Sequence, residues 1–509
     1  MLRSQRRSQS TVLKRRLRGA GQDIETGIGY QKVDFKYNIR GWLKEINDVN
    51  SFSSSIGSTV DLFAFKINYN TVTRKNLDTG EIEDVPNSYN DTVKELFNGN
   101  IAETYWRSSS DNMLRKYSYA YDDLNRLNDA YYQKPETNIE QRNSYNESLQ
   151  YDKNGNIERL GRTGNYDGDL NPFRIDELDY KYDDKSNILL KVTDATNSPL
   201  GFKDDSDGSN DNEDDYTYDD NGNMISDQNK GISKIIYNHL NLPIFIEFNA
   251  IAQSISYFYN ANGVKLRKVV NRGAPNYNLT TTDYLGGFQY KNSELQFFPH
   301  PEGYVNKYKD RFSYVYNYTD HLGNIRLSYG MDPKDKVLKI LEENHYYPFG
   351  LKHTNYSNDI KKFTTETGLH PVTLTPIEEY KIKQIPGGEK LEYMYKYNGK
   401  EWQYELGLNV TSMDFRMYDN ALGRFHNIDA MTEIMPSLSP YRFAFNNPVI
   451  WKDPTGLLEE NGDPKKTPHW DLDEVVVSTK ARTSEYVNMP ASFTYHLLDG
   501  KNINRNYIG

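Results

Sequence analysis

Residues 394–457 read MYKYNGKEWQYELGLNVTSMDFRMYDNALGRFHNIDAMTEIMPSLSPYRFAFNNPVIWKDPTGL. Four motifs in this stretch contain or end in turn-forming residues: YNGKEWQYELGLN, RMYDNALGRF, SPYRFAFNNP and DPTGL. Asn, Asp, Pro and Gly favour turns, whereas the Tyr, Phe and Val between them favour strands. The sequence therefore predicts short β-segments that are joined by tight turns.

A second pattern runs through the chain upstream of this stretch. A tyrosine followed by Asp or Asn recurs, and each pair is followed by a turn and a second β-like segment, as in YTYDDNGNM at 216–224 and YFYNANGVKLRKV at 257–269. The tyrosines stand at positions 121, 151, 182, 218, 237, 259 and 318. The two shortest spacings match a unit of about 20 residues, and the longer ones indicate inserted loops.

Each unit is predicted to be a β-hairpin. The first strand alternates Tyr with polar residues, the Asp or Asn side chain caps the turn, and the Gly of KNGN, DNGN, NANG and HLGN permits a positive φ. One hairpin cannot bury its aromatic face alone, but stacked hairpins can. The repeat therefore predicts one long sheet.

The composition agrees with a thin, wide sheet. The chain has 42 Tyr and 21 Phe, but only 36% of its residues are hydrophobic and its mean hydropathy is -0.84. It is too polar for thick aliphatic cores and too aromatic for a disordered chain. Tyrosine suits a sheet with one packed and one wet face, because its ring buries while its hydroxyl stays hydrated.

Several classes of site and segment are excluded or disfavoured. The absence of cysteine excludes disulfides, thiolate metal sites and a cysteine nucleophile, and the net charge of -10 argues against a nucleic-acid partner. No apolar run reaches the ~18 residues of a transmembrane helix. Residues 1–29 are basic without an apolar segment, so we expect a disordered tail, or alternatively an arm for lipid or nucleic acid, rather than a secretory signal.

Residues 394–457 resemble the RHS-repeat-associated core, the domain that ends the β-shell of Rhs and YD-repeat proteins, and the upstream units resemble YD repeats. The resemblance implies an all-β fold. In this family the hairpin strip spirals into a hollow shell, as in polymorphic toxins and the Tc-toxin C component, and the core plugs it. We therefore expect a YD-repeat shell at 30–392, the core at 393–457 and a short variable extension at 458–509.

The resemblance also implies a reaction. In cleaving members the core is an aspartate autoprotease that cuts once, directly after its DPxGL motif. Carried onto this chain, the catalytic residues are Asp429, Asp453 and Arg416, and the scissile bond joins Leu457 to Leu458. Two neighbouring carboxyls separate their pKa values, so one activates water while the other carries a proton, and a nearby arginine holds a carboxylate or polarises the carbonyl.

One residue departs from the family pattern. Ala430 stands where the family usually has proline, and we expect a looser turn around Asp429. The alternative is that Asp429 and Asp453 only form turns, as Asp before Pro commonly does. His321 and His345 lie in the motifs TDHLGN and ENHYYP, and we predict turn or packing roles for both.

Three further segments carry weaker signals. Residues 204–215 offer oxygen donors around Gly208, but their register fits no standard EF-hand loop, so a solvated acidic loop is preferred to a calcium site. Residues 333–345 are expected to include a helical turn or two, and residues 353–390 to form a loop-rich insertion. No cofactor is expected. The donors of the weak calcium candidate are Asp205, Asp207, Asn210, Asp211 and Glu213.

Two functions follow from these patterns. In the first, a secreted or cell-surface bacterial shell encloses its own C-terminal segment and releases it by autoproteolysis. Its motif style resembles the variant found in bacteria with type IX secretion, and an upstream Rhs polypeptide or a secretion-system component is an expected partner. In the second, the chain is a non-enzymatic adhesin or a structural subunit of a secretion or gliding assembly, and its tail is a docking peptide.

Overall fold

The computed structural model describes residues 30–31, 33–50, 61–75, 82–85, 93–137, 143–164, 173–204, 214–275, 278–354, 360–369, 375–385 and 391–461. Their regular elements are 33 β-strands and four three-residue 3-10 turns, with no α-helix among them. None of their helical turns has the length and apolar character that a membrane span requires. The predicted all-β class is confirmed, while the expectation for residues 1–29 falls outside the described residues.

The first sheet has ten antiparallel strands that follow chain order. A small separate hairpin, β4 (Val72–Lys75) with β5 (Ile82–Val85), is inserted between β3 and β6. The strands of the first sheet are β1 (Phe35–Tyr37), β2 (Leu43–Ile46), β3 (Phe63–Asn68), β6 (Glu103–Ser108), β7 (Arg115–Tyr121), β8 (Leu127–Gln133), β9 (Glu147–Tyr151), β10 (Ile157–Gly164), β11 (Phe173–Tyr182) and β12 (Leu189–Asp194).

The second sheet has thirteen antiparallel strands, again in chain order. It continues the first sheet, because the Asp215 N–H donates to the Leu190 carbonyl at 2.8 Å. Its strands are β13 (Tyr216–Tyr218), β14 (Met224–Asp227), β15 (Ile232–Tyr237), β16 (Pro243–Phe248), β17 (Gln253–Tyr259), β18 (Lys265–Arg272), β19 (Leu279–Leu285), β20 (Phe288–Lys291), β21 (Glu294–His300), β22 (Gly303–Tyr308), β23 (Arg311–Thr319), β24 (Ile325–Met331) and β25 (Leu338–Glu343).

Two local expectations were wrong. The segment expected to be helical contains β25, which pairs with β24 across a turn where Lys336 has a φ of +57°, so sheet pairing overrides the local helical tendency. The segment expected to be loop-rich contains the nine-residue strands β26 (Lys361–Leu369) and β27 (Pro376–Gln384), which form a hairpin. Phe363 and Tyr380 of this hairpin pack against the second sheet.

The turns of the repeat follow one design. A side-chain oxygen of the first turn residue accepts the backbone N–H groups two and four positions later, which fixes the turn. The glycine that precedes the second strand has the positive φ expected from the sequence, as at Gly155 (+84°) and Gly323 (+81°), and Asn125 (+63°) takes the same role elsewhere. The two-bond turn is formed by Asn38, Asp122, Asp219, Asn238, Asn260 and Asp320.

The repeat tyrosines lock neighbouring strands together. The hydroxyl of Tyr151, at the end of β9, donates to the carbonyl of Leu127, the first residue of β8, at 2.7 Å. Tyr182 at the end of β11 makes the same bond to Ile157, the first residue of β10, at 2.8 Å. The ring is thereby packed in the sheet while its polar end is satisfied. Tyr121 and Tyr237 bond the carbonyls of Ile101 and Met224 in the same way.

The strip curls so that its far end meets its beginning. Tyr318, at the end of β23, packs on Phe63 of β3 with ring centroids 5.7 Å apart, and Ser108 of β6 donates to the carboxylate of Glu343 of β25 at 2.7 Å. The sheets do not close into a ring by hydrogen bonds, since the described β1 and β25 are both end strands.

Residues 395–461 lie against the inner faces of both sheets and form what we call the core segment. Tyr180 of the first sheet donates to the Leu422 carbonyl at 2.9 Å, and Tyr257 of the second donates to Gln403 at 2.5 Å. The elements of the core segment are β28 (Glu401–Gln403), β29 (Val410–Ser412), β30 (Met417–Asp419), β31 (Arg424–Phe425), β32 (Trp451–Lys452) and β33 (Glu460–Asn461), with 3-10 turns at Tyr397–Gly399, Glu405–Gly407, Thr432–Ile434 and Ala444–Asn446.

Buried charges tie the core segment to both sheets. Arg162 of β10 is buried, pairs with Glu147 (2.8 Å) and Asp176 (3.0 Å), and donates to the Ala421 carbonyl of the core segment at 2.7 Å. Because these groups have left water, removing the cation would leave two buried carboxylates with only backbone N–H groups as partners.

We expect Arg162→Met to lower the free energy of unfolding by about 3–5 kcal/mol, because it breaks a buried ionic network. Arg159→Met is the matched control, since Arg159 lies on the same strand but pairs with Asp179 on the exposed face. It is expected to change stability by less than about 1 kcal/mol. Denaturant unfolding of both variants checks this, and equal losses would contradict the assignment.

The second sheet is tied to the core segment by Glu401. The carboxylate of Glu401 accepts hydrogen bonds from Lys265 (2.6 Å), Lys268 (3.2 Å) and Tyr284 (2.7 Å), which lie on β18 and β19. Burial alone would raise the pKa of Glu401, but the two lysines outweigh it and hold the pKa at about 2, below the ordinary 4.5. The network therefore stabilises the fold above about pH 4.5 and loses that contribution as pH falls toward 2.

Glu401→Gln is expected to lower the free energy of unfolding by about 3 kcal/mol at neutral pH, because it leaves buried Lys265 without a carboxylate and Lys268 with Glu405 alone. The difference from the wild type should narrow below about pH 4.5 and become small near pH 2, where about half of the native carboxyls are protonated. Urea unfolding over this pH range checks the prediction. Glu366→Gln, in the exposed pair of Glu366 with Lys381 and Lys383, is the control and should show only a small change.

Candidate functional site

Arg416 organises the site. It directly precedes β30, its side chain is buried, and its guanidinium lies 3.6 Å from the ring centre of Phe425 on the paired strand β31. Stacking on an aromatic ring and burial restrict the guanidinium to one position. Its hydrogen bonds can therefore be directed at fixed partners.

The structure brings the three predicted residues together. Nη2 of Arg416 donates to Oδ2 of Asp429 at 3.0 Å and to Oδ2 of Asp453 at 2.9 Å. Nη1 donates to the Pro440 carbonyl at 3.1 Å, and Nε donates to the Gly456 carbonyl. The two carboxyls belong to different loops and are both buried, so the arginine holds both loops and the segment before the predicted scissile bond.

Asp453 shapes the loop that contains this bond. Its Oδ1 accepts the N–H of Gly456 at 2.8 Å and the N–H of Leu457 at 3.0 Å. Gly456 has a φ of +75°, and a Cβ there would lie 3.0 Å from the Arg416 backbone nitrogen, so a larger residue would be excluded. Leu458, on the other side of the bond, is 40% exposed.

The loop is the tip of a small hairpin. Trp451 and Lys452 of β32 pair with Asn461 and Glu460 of β33, so residues 453–459 connect two hydrogen-bonded strands. The segment after the predicted scissile bond thus returns to the core segment immediately. The Leu457–Leu458 bond therefore lies in a turn whose two flanking strands pair with each other.

Asp429 differs electrostatically from an ordinary aspartate. Burial raises the pKa of Asp429, and the nearby charge of Asp453 raises it further, while Arg416 and the Met431 N–H oppose the rise. The rise makes Asp429 easier to protonate than an ordinary aspartate, which suits a carboxyl that acts as an acid.

The turn around Asp429 forms with Ala430 in place. Oδ1 of Asp429 accepts the Met431 N–H at 2.8 Å, and its carbonyl accepts the Thr432 hydroxyl at 2.7 Å. The Asp429 N–H donates to the Pro440 carbonyl at 3.1 Å. The departure from the family pattern therefore does not separate Asp429 from Arg416.

Sequence reasoning missed two charged residues beside the site. Glu459 is buried, and its Oε1 lies 3.1 Å from Nη2 of Arg442. Burial raises the pKa of Glu459 to about 7, Asp453 adds to the rise, and Arg442 and Arg416 oppose it. Arg442 lies in the motif SPYRFAFNNP, but nothing in that motif marks it as a site residue, and the signal available for Glu459 was only its position two residues after Leu457.

The remaining candidates are not part of this cluster. His321 is buried and its Nε2 hydrogen-bonds the Val449 carbonyl at 2.7 Å, while His345 bonds the Glu343 carboxylate at 2.7 Å. Asp205, Asp207, Asn210, Asp211 and Glu213 lie outside the described residues. In the part of the chain that is described, no group of three or more His, Asp or Glu side chains could hold a metal ion.

Comparisons with known proteins identify the fold. Over 84% of this chain and 19% of theirs, the structure matches a chain of the Photorhabdus luminescens Tc holotoxin pore with a TM-score of 0.50 and 15% identity. A TcdB2–TccC3 crystal structure matches over 88% of this chain and 23% of its own, with a TM-score of 0.45 and 15% identity. The predicted shell-like β-fold is confirmed by the first of these matches.

Sequence comparison gives a distant relative. Salivary gland surface protein 1 of Aedes aegypti is 24% identical over 325 residues, which are 58% of this chain. The chain spans only 8% of the length of that protein and about a fifth of the Tc holotoxin chain. No protein-family model matches the sequence.

Arg416→Met is expected to lower the free energy of unfolding by about 3–5 kcal/mol at neutral pH, because it leaves two buried carboxylates without a cation. The loss should shrink as pH falls toward 5, since protonation of a buried carboxylate removes the charge that Arg416 balances. Denaturant unfolding at pH 7.5 and 5 measures this.

Arg424→Met is the control for the same measurement. Arg424 is also buried, but its guanidinium stacks on Tyr182 and Tyr441 instead of bridging carboxylates. Its loss should destabilise the protein by an amount that does not change between the two pH values. A pH-independent loss at Arg416 would contradict the electrostatic role given to it.

Proposed function

We propose that this chain is a wall-and-core portion of a Tc-toxin-like shell protein that cuts its own backbone between Leu457 and Leu458. The observation that carries the proposal is the contact of one Arg416 nitrogen with both Asp429 and Asp453, at 3.0 and 2.9 Å, beside the loop that contains this bond. A buried pair of carboxyls bridged by a cation is an arrangement suited to metal-free peptide hydrolysis.

The reaction is hydrolysis of one peptide bond. One carboxylate takes a proton from water, the oxygen of that water bonds to the Leu457 carbonyl carbon, and the proton-bearing carboxyl supplies a proton as the Leu458 nitrogen leaves. Asp429, whose pKa is raised, is assigned as the acid during the reaction, and Asp453 is assigned as the base. Arg416 stabilises the negative charge that develops, and tethering removes the entropy cost of binding a substrate.

We propose that the two β-sheets form the wall of the shell. Residues 30–392 enclose the core at 393–457, and the released product is the segment 458–509. The curl of the strip around the core segment supports enclosure, and the shell fold supports a toxin-like role. We further propose secretion or display at the cell surface, with an upstream Rhs polypeptide or a secretion component as partner.

A second function is supported by a specific observation. Oδ1 of Asp453 accepts two backbone N–H groups, and Arg416 donates hydrogen bonds to both aspartates, so the three residues also hold the turn together structurally. Such a core segment would serve a non-enzymatic surface protein, and the Aedes relative is named as a surface protein. In that case the bond remains intact.

Intact mass and gel analysis of the purified full chain, incubated for days between pH 5 and 8, distinguishes the two functions. Autoproteolysis gives a 52-residue fragment that begins at Leu458. Asp453→Asn and Asp429→Asn should abolish the fragment, because each removes a titratable carboxyl of the pair. Asp414→Asn is the control, since Asp414 is exposed and pairs with Lys400 at the surface of the same segment.

Two results would overturn the proposed cleavage. A wild-type chain that keeps its full mass at every pH supports the structural function instead. Fragmentation that persists in both aspartate variants would assign the cut to a contaminating protease.

A further inference from the structure

A side chain as well as the backbone holds the segment after the predicted scissile bond in place. Leu458 is 40% exposed, but the next residue, Glu459, is 6% exposed and turns into the cluster around Arg416. Its carboxylate lies 3.1 Å from Arg442, whose other guanidinium nitrogen donates to the Ser439 carbonyl at 3.1 Å. Glu459 therefore connects the segment that follows the bond with the loop that precedes it.

The charged groups around the contact between Glu459 and Arg442 are unequal in number. The cluster contains two guanidiniums, Arg416 and Arg442, and three carboxyls, Asp429, Asp453 and Glu459. If all five groups were ionised, the buried cluster would carry one net negative charge, which desolvation disfavours.

One of the three carboxyls is therefore favoured to hold a proton. Both aspartates accept backbone N–H groups as well as Arg416, whereas Oε1 of Glu459 has no well-aligned hydrogen bond and only the ion-pair contact with Arg442. Glu459 is the member with the least support for a negative charge.

We propose that Glu459 is a positioning residue that ties the segment after Leu457 to the cleavage site, and that the tie loosens when its carboxyl ionises. The proposal rests on the proposed function, because the tied segment is the one that cleavage would release. Neutral Glu459 packs in the cluster, while ionised Glu459 adds a third negative charge and favours an opened hairpin.

The groups that face Glu459 act in opposite directions. Arg442 and Arg416 favour its ionised form, whereas burial and the charge of Asp453 disfavour it and outweigh the two arginines. The Lys452–Glu460 pair, 3.8 Å apart, lies on the same hairpin. The net result is a Glu459 pKa of about 7, so the buried form binds a proton more tightly than the exposed form, and the tie weakens as pH rises.

Hydrogen exchange of the purified full chain tests the tie whether or not cleavage occurs. After correction for intrinsic rates, protection of the amides of residues 457–461 should fall about tenfold between pH 6 and 8. Glu459→Gln resembles the neutral side chain and should remain protected at both pH values. Glu459→Ala should lose about tenfold or more at both, because the packing of the side chain and its contact with Arg442 are removed.

Glu460→Ala is the matched control and should retain the wild-type pH profile, because Glu460 is only partly buried and its partner is more distant. A wild-type profile that is flat with pH, or a Glu459→Gln profile that still falls, overturns the proposal. Absence of the fragment 458–509 overturns the proposed function but leaves these exchange results unchanged, so the two failures are distinguishable.

Discussion

Each hairpin of the strip has one apolar face of tyrosine and aliphatic side chains and one polar face. The apolar face leaves water only if it packs against a second apolar surface. The strip meets this requirement by curling until Phe63 and Tyr318, from its two ends, are in contact. The core segment occupies the remaining inner surface, where Tyr180 and Tyr257 donate to it from the two sheets. The position of the candidate site is a consequence of this burial.

Burial of the inner face also determines how charges are distributed. Arg162 and Glu401 lie at the contact between the sheets and the core segment, and each is surrounded by groups of opposite charge. Such ions contribute less to net stability than to the position of the segment, because a shifted register would separate them. The cluster around Arg416 shares with the Arg162 network an excess of carboxyls, here three carboxyls to two guanidiniums, but it lies next to the predicted scissile bond.

This imbalance connects structure with function. A fully neutralised network would only fix the turn, whereas a cluster with one carboxyl in excess retains a titratable proton next to a peptide bond. The bond itself lies at the tip of the hairpin of β32 and β33, with Gly456 in a backbone conformation that other residues rarely adopt. The fold, the buried charges and the loop geometry therefore all place the candidate site at residues 453–459.

The local pattern was sufficient for much of the fold. The Tyr-Asp pairs and the glycines after them define strand ends and turns, because those depend on neighbouring residues, and the motif context named Arg416, Asp429 and Asp453. The pattern failed for β25, β26 and β27, which pair with neighbouring strands although their segments contain no Tyr-Asp pair to mark a hairpin. The pattern also did not predict that the repeat tyrosine hydroxyls donate hydrogen bonds to carbonyls of the preceding strand.

What the sequence by itself determined is therefore the all-β class, the hairpin unit and the identity of the three motif residues. Only the tertiary structure decided that Arg416 lies within 3.0 Å of both aspartates and that Glu459 and Arg442 join them. The reason is physical: turns and strand ends are set by backbone preferences within a few residues, whereas the contacts and pKa values of buried charges depend on which loops the curled sheets bring together.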